Sequence, residues 1–274
     1  MGAQTAGMTF IDPHPAGARM HDTAMATRHP CAPPTADECA IVELRQYTLH
    51  PGQRDVLIEL FDREFVETQE AQGLRVLGQF RDLDRPDLFV WLRGFGSMQA
   101  RRQALEAFYG GPTWAAHRDA ANATMIDSDN VLLLRPAWPG AAAALPQHAR
   151  AAPGASGAAP GVVAATVFHL REAATPALLD FCRHRMAPTL QRGGARQVAW
   201  YCTETSPNTF PRLPVREGEH VLLGLALFGR EAALEAFTGS TPWARGVAPG
   251  LAPWLAREPE TLRLQPTARS ALHA

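Results

Sequence analysis

The chain of 274 residues contains no lysine, and all 26 of its basic residues are arginine. A Schiff-base lysine and a P-loop lysine are therefore excluded. The four cysteines, Cys31, Cys39, Cys182 and Cys202, show no C-x-x-C spacing and read as reduced thiols of a cytoplasmic protein. No apolar run approaches the roughly 20 residues needed to span a bilayer. The first residues, MGAQTAGMTFIDPHPAGARM, hold no continuous apolar core, so no secretory signal is expected. A formal net charge of −1 gives no electrostatic case for nucleic acid or an anionic membrane. G-x-S-x-G, G-x-G-x-x-G after a strand and H-E-x-x-H are all absent. No histidine is placed by a motif for haem, and neither a cofactor nor a metal is expected.

What is present is a repeat. LEAFYGGPTWA begins at Leu105 and LEAFTGSTPWA at Leu234, an offset of 129, with seven of the eleven residues identical. That period is too long for a solenoid unit and matches a small domain. At an offset of 121, Tyr47 falls on Phe168, Leu49 on Leu170 and Gly73 on Gly194. The apolar stripe Leu57, Leu60, Phe61, Phe65 falls on Leu178, Phe181, Cys182, Met186, each with helical spacing. Thr175-Pro176 supplies an N-cap and a first-turn proline. Gly73 and the Gly193-Gly194 pair supply left-handed helix ends.

Strands are expected at 74–80, 87–95 and 130–136, and again at 195–201, 219–228 and 260–266. Each half thus reads β-α-β-β-α-β, the ferredoxin-like arrangement of the α+β class. The drift in offset has two causes. A longer hairpin loop at 203–219 raises it to 133, and a second helix shorter by four residues, about one turn, returns it to 129. Residues 1–40 carry no apolar periodicity and are expected to be a disordered leader, within which Met8, Met20 and Met25 are alternative starts. His14, His21 and His29 with Cys31 and Cys39 match no zinc spacing. The chain then divides into domains at 41–138 and 162–266, an Ala/Pro/Gly linker at 139–161 and a tail at 267–274. Both faces of the first strand of each half are apolar, so the two bare sheet faces are expected to pack together. This can happen within one chain as a pseudo-dimer or between chains as a homodimer.

VELRQYTLHPGQRDVLIELF (42–61) followed by LRVLGQFRDLDRPDLFVWLRGFGSMQARRQALEAFYGGPTW (74–114) resembles a NIPSNAP domain. The opening from Glu43 to Gly52 and the run from Trp91 through Arg101 and Arg102 to Trp114 are its most specific parts. The resemblance covers 41–136; 162–266 is a diverged copy without the opening motif. It implies a dimeric α+β barrel and no settled activity. The same fold group includes cofactor-free monooxygenases, small isomerases and haem-degrading enzymes that use a cavity between sheet and helices. Fold does not fix function.

The second copy serves as an internal control. Glu43, Arg45 and Tyr47 are replaced by Ala164, Thr166 and Phe168, and His117 by Gly246. A pocket, if any, is therefore expected in the first half, with Arg45, Tyr47 and His117 as its candidate catalytic residues. Arginine would anchor an anionic oxygen, and tyrosine or histidine would donate a proton. In the plainer reading Glu43 pairs with Arg45, Tyr47 is a core aromatic and His117 sits on a helix surface. Phe108, Phe237, Trp114 and Trp243 occur in both copies and read as packing. Trp91 and Trp200 have no tryptophan counterparts and could line a cavity; His169 and His184 have no partner that sequence supplies. The leading expectation is a small-molecule-binding or scaffold protein with a small hydrophobic or anionic ligand. The alternative is an enzyme of the cofactor-free monooxygenase or isomerase kind.

Overall fold

The computed structural model describes Thr35, residues 39–145 and residues 150–274. His14, His21, His29 and Cys31 lie outside the described residues. Cys39 is buried, and its Sγ donates to the Thr35 carbonyl at 3.3 Å.

The first half runs β1 (Ile41–Leu49), α1 (Arg54–Leu60), a π-helical turn (Phe61–Phe65), α2 (Val66–Glu70), β2 (Arg75–Asp82), β3 (Leu88–Phe95), α3 (Met98–Tyr109), α4 (Pro112–Asn122) and β4 (Met125–Pro136). The second runs β5 (Val162–His169), α5 (Pro176–Phe181), a π-helical turn (Cys182–Met186), α6 (Ala187–Arg192), β6 (Ala195–Thr203), β7 (Val221–Phe228), α7 (Glu231–Thr238), α8 (Pro242–Gly246), α9 (Ala248–Leu251) and β8 (Glu260–Pro266). No helix among the described residues is long and apolar enough to cross a membrane.

The predicted helix signals act as expected. The Thr175 side chain accepts from the Leu178 N–H, and Gly73 and Gly194 take φ of 84° and 100°. Sequence periodicity did not disclose that both first helices widen into a π turn at matching positions. After each widened turn a threonine side chain donates to the carbonyl four residues earlier. Thr68 Oγ1 donates to Glu64 O, and Thr189 Oγ1 to Arg185 O at 2.7 Å.

The repeated eleven residues form a helix–helix corner. Leu105 and Phe108 on α3 are buried, as are Leu234 and Phe237 on α7. Trp114 folds back to 6.1 Å from Phe108, and Trp243 to 6.3 Å from Phe237. The helix lengths, 12 residues against 8, account for the four-residue drop in offset.

The eight strands of the described residues join antiparallel into one closed barrel, in the order β1-β3-β2-β8-β5-β7-β6-β4. The barrel closes within the chain through two short seams. Asp82 pairs with Leu264 on one side, and Leu134 with Thr203 on the other. Its interior is a packed apolar cluster in which Val42, Leu44 and Val90 join Val163, Ala165 and Leu225. The helices cover the outer face of each half with a separate cluster.

Segments read as linker and tail also enter this packing. Ala143 and Leu272 are buried in the barrel cluster, and Ala143 N donates to Tyr201 Oη at 2.9 Å. Alanine and leucine carry no pattern over such short stretches. Their burial follows from the barrel opening beside them.

Candidate functional site

On the helix-facing side of β1, Glu43 is fully buried and accepts from three arginines. Arg45 Nη1 lies at 2.7 Å, Arg93 Nε on β3 at 2.8 Å and Arg101 Nε on α3 at 2.6 Å. Antiparallel register places Glu43 opposite Arg93 and Arg45 opposite Trp91. Arg45 Nε donates to Tyr47 Oη at 2.8 Å, and Arg93 Nη1 to Gln69 and Tyr109 at 3.3 and 3.4 Å. The Arg45 and Arg93 guanidiniums lie 5.6 and 5.0 Å from the Trp91 ring centre. Burial alone would raise the Glu43 pKa, but Arg93, Arg45 and Arg101 outweigh it and hold the carboxyl well below the usual carboxylate range. Burial raises the Tyr47 phenol above its ordinary value against the pull of Arg45, so Tyr47 stays protonated. Burial pulls Arg101 down against Glu43.

The cluster is capped by the long β6–β7 loop of the second half. Arg101 Nη1 donates to Asn208 Oδ1 at 2.9 Å and to Thr209 Oγ1 at 3.2 Å. Phe210 stacks on Tyr109 at 5.9 Å, and Leu213 joins the first-half core.

Arg45 and Tyr47 thus stand together, tied to Glu43. His117 stands apart on α4, with Nε2 3.5 Å from Glu64 and its ring 6.2 Å from Phe65. It makes no contact with Arg45 or Tyr47.

The space between sheet and helices is filled in the first half and open in the second. A cavity of about 320 Å³ there is lined by Ala164, Thr166, Phe168, Trp200, Gly224 and Ala226, among others. Register makes these the counterparts of the first-half cluster. Ala164 pairs with Ala226 where Glu43 pairs with Arg93, and Thr166 pairs with Gly224 where Arg45 pairs with Trp91. Arg101 sits where α3 is longer than α7. Deleting these side chains leaves the volume they occupied. Phe237, Trp243 and Ser240 close the helix side, and among the described residues no acidic or basic side chain lines the cavity. Trp200 is 1% exposed and its indole N–H has no acceptor. Openings of about 540 and 420 Å³ border the first half beside Asp55 and Arg81 and beside Glu67 and Arg150, and neither is lined by Arg45, Tyr47 or His117.

The NIPSNAP family profile matches residues 42–138. The chain carries a NIPSNAP domain. No curated protein matches it. Several solved structures share the two-domain fold over most of their length. A protein from Lactobacillus acidophilus NCFM described as a candidate monooxygenase is 10% identical, over 84% of this chain and 96% of that one, with a TM-score of 0.53. An anthrone oxidase-like protein is 17% identical, over 88% and 98%, with a TM-score of 0.51. A candidate chlorite dismutase is 12% identical, over 84% and 96%, with a TM-score of 0.50. At such identity the likeness is of fold alone.

Within the NIPSNAP domain, sequence reasoning found Glu43, Arg45 and Tyr47 because one strand spells them at alternate positions. It missed Arg93 and Arg101 as their partners, since strand register and helix docking bring those in from 50 and 58 residues away. The cavity of the second copy was missed for a different reason. Its signal was the same set of substitutions, taken for loss of a site when they also create room.

Proposed function

We propose that this protein binds a small, neutral, largely apolar ligand between the sheet and helices of its second half. One observation carries the reading: the cavity of about 320 Å³ stands where the NIPSNAP domain holds buried charges, and its own lining has none. That volume is at the low end for ligand sites, which run about 300–1,000 Å³. An uncharged wall would penalise an ionised ligand by desolvation. Phe168, Trp200, Phe237 and Trp243 suit an aromatic or alicyclic skeleton.

The alternative is catalysis of the cofactor-free oxygenase or isomerase kind at Arg45 and Tyr47. These two side chains are in contact, but both are buried and bound to each other and to Glu43. Among the described residues, the cavity lining offers no titratable group for proton transfer.

The test is binding of 2-naphthol, followed by tryptophan fluorescence, to the full chain and to Ala164→Leu. Saturable quenching in the wild type and at least a tenfold weaker response in the variant, with unchanged circular dichroism, is expected. Equal binding by both proteins, or none by the wild type, would overturn the assignment.

A further inference from the structure

The NIPSNAP half holds a charge imbalance that the described residues do not remove. Arg45, Arg93 and Arg101 are at most 1% exposed, and among the described residues the one carboxylate paired with them is Glu43. Three guanidiniums against one carboxylate leave two positive charges in excess, away from water. The other acids of this helix face are engaged elsewhere: Glu64 with Arg63, Glu67 with Arg269 and Glu70 with Arg150. Asp129 on β4 senses Arg45, but burial and Asp127 dominate its titration. Tyr47 stays protonated and contributes no charge.

Hydrogen bonding points the same way. Arg93 and Arg101 each spend Nε on Glu43 and Nη1 on neutral acceptors, and each leaves a buried Nη2 without an acceptor. Arginine forks of this kind match anions. Elsewhere the buried Arg269 shows the compensated pattern, with donors directed to Glu67, to Asp62 O and to Ala151 O.

We propose that the cluster is a binding site for a small monovalent anion, held by Arg93 and Arg101 beneath the Asn208–Thr209 cap. The ligand class is a halide or a one-carbon carboxylate. Glu43, Trp91, Tyr109 and the stacked Phe210 crowd the cluster and exclude bulkier acids. The site is separate from the second-half cavity, and its ligand is of opposite character. Both room and access require the 204–219 loop to lift, because the space between sheet and helices is filled in this half and Arg101 is bonded to that loop.

The experiment is thermal unfolding of the full chain at fixed ionic strength, with sodium gluconate exchanged stepwise for sodium bromide, formate or benzoate. Fixed ionic strength keeps generic screening constant. Bromide and formate should each raise Tm saturably, by about 5–10 °C at roughly 100 times Kd, and benzoate should not. Asn208→Asp sets a carboxylate where Asn208 Oδ1 now lies 2.9 Å from Arg101 Nη1. That variant should be more stable than wild type in gluconate and lose at least half of the anion response. Arg101→Gln removes one excess charge and should abolish most of the response if it folds; Asn208→Asp carries the test if it does not. Arg118→Gln, on the exposed face of α4, should respond like wild type. A wild type indifferent to bromide and formate, an equal response to benzoate, or a full response in Asn208→Asp would overturn the site.

Discussion

The ring of Trp200 lies so close to Gly224 that a Cβ built on the glycine would come within 2.7 Å of it. The two residues face each other across β6 and β7. In the NIPSNAP half the corresponding pair is Gln79 and Trp91, also in register across β2 and β3. The large ring has therefore changed strands between the copies, and the position it left has become glycine. That exchange, with the loss of Arg45 and Arg93 at positions 166 and 226, opens the second-half cavity.

Gly224→Ala should push the Trp200 ring into the cavity. Overpacking of this kind costs about 1–3 kcal/mol. The expected result is a lower denaturation midpoint, a shifted tryptophan emission maximum and loss of 2-naphthol binding. Unchanged binding would mean that the ligand does not occupy the space beside Trp200.

Glu43→Gln tests the buried cluster through its pH dependence. Removing one partner of a buried ion-pair network costs about 3–5 kcal/mol, chiefly by stranding the partner charges. Because the folded pKa is depressed below the ordinary value of 4.5, the Glu43 contribution is complete above that value. It is lost as pH falls through 4.5 towards the folded pKa, where the unfolded chain takes up a proton and the native chain does not. Urea unfolding should show a constant gap between wild type and variant from pH 5 to pH 8 and a narrowing gap below about pH 4.5. A gap independent of pH down to 3 would mean that Glu43 is not ionised in the native protein.

Tyr47→Phe reproduces the residue already present at 168. It deprives Arg45 Nε of its acceptor at 2.8 Å, and hydrogen bonds to charged groups contribute about 1.5–3 kcal/mol. The variant should fold, lose stability within that range and bind 2-naphthol as wild type does. A variant of wild-type stability that lost a measurable turnover would favour the enzymatic alternative.

The fold was legible in the sequence because both copies repeat their turn and stripe signals. The LEAF corner, the stripe from Leu57 to Phe65 and the glycines after each first helix fix β-α-β-β-α-β twice over. Apolar residues on both faces of β1 and β5 pointed to paired sheets. The strand order across the seams was not legible, since only three residues pair at each and they carry no distinctive pattern. The burial of Arg269 and Leu272 in the C-terminal segment was not legible either, because it depends on a barrel end that exists only after closure. In the site, Arg45 and Tyr47 could be read from strand alternation. The role of the 204–219 loop as a cap on the other half could not, since its length was explained by a hairpin and its docking surface lies on α3, 98–109.

Because both seams form within one chain, the described strands leave no sheet edge for a second copy to extend. Native mass spectrometry of the full chain should therefore show a monomer, where a single-copy domain of this fold would need a partner to cover its bare sheet face. The same spectrum tests the cavity, since a ligand retained from the expression host would add a mass that disappears on denaturation. A dimer would mean that the outer helical faces associate, because the barrel has no free edge to offer. A monomer with a neutral added mass, absent from Ala164→Leu, would tie that mass to the second half and separate it from any anion held by Arg93 and Arg101.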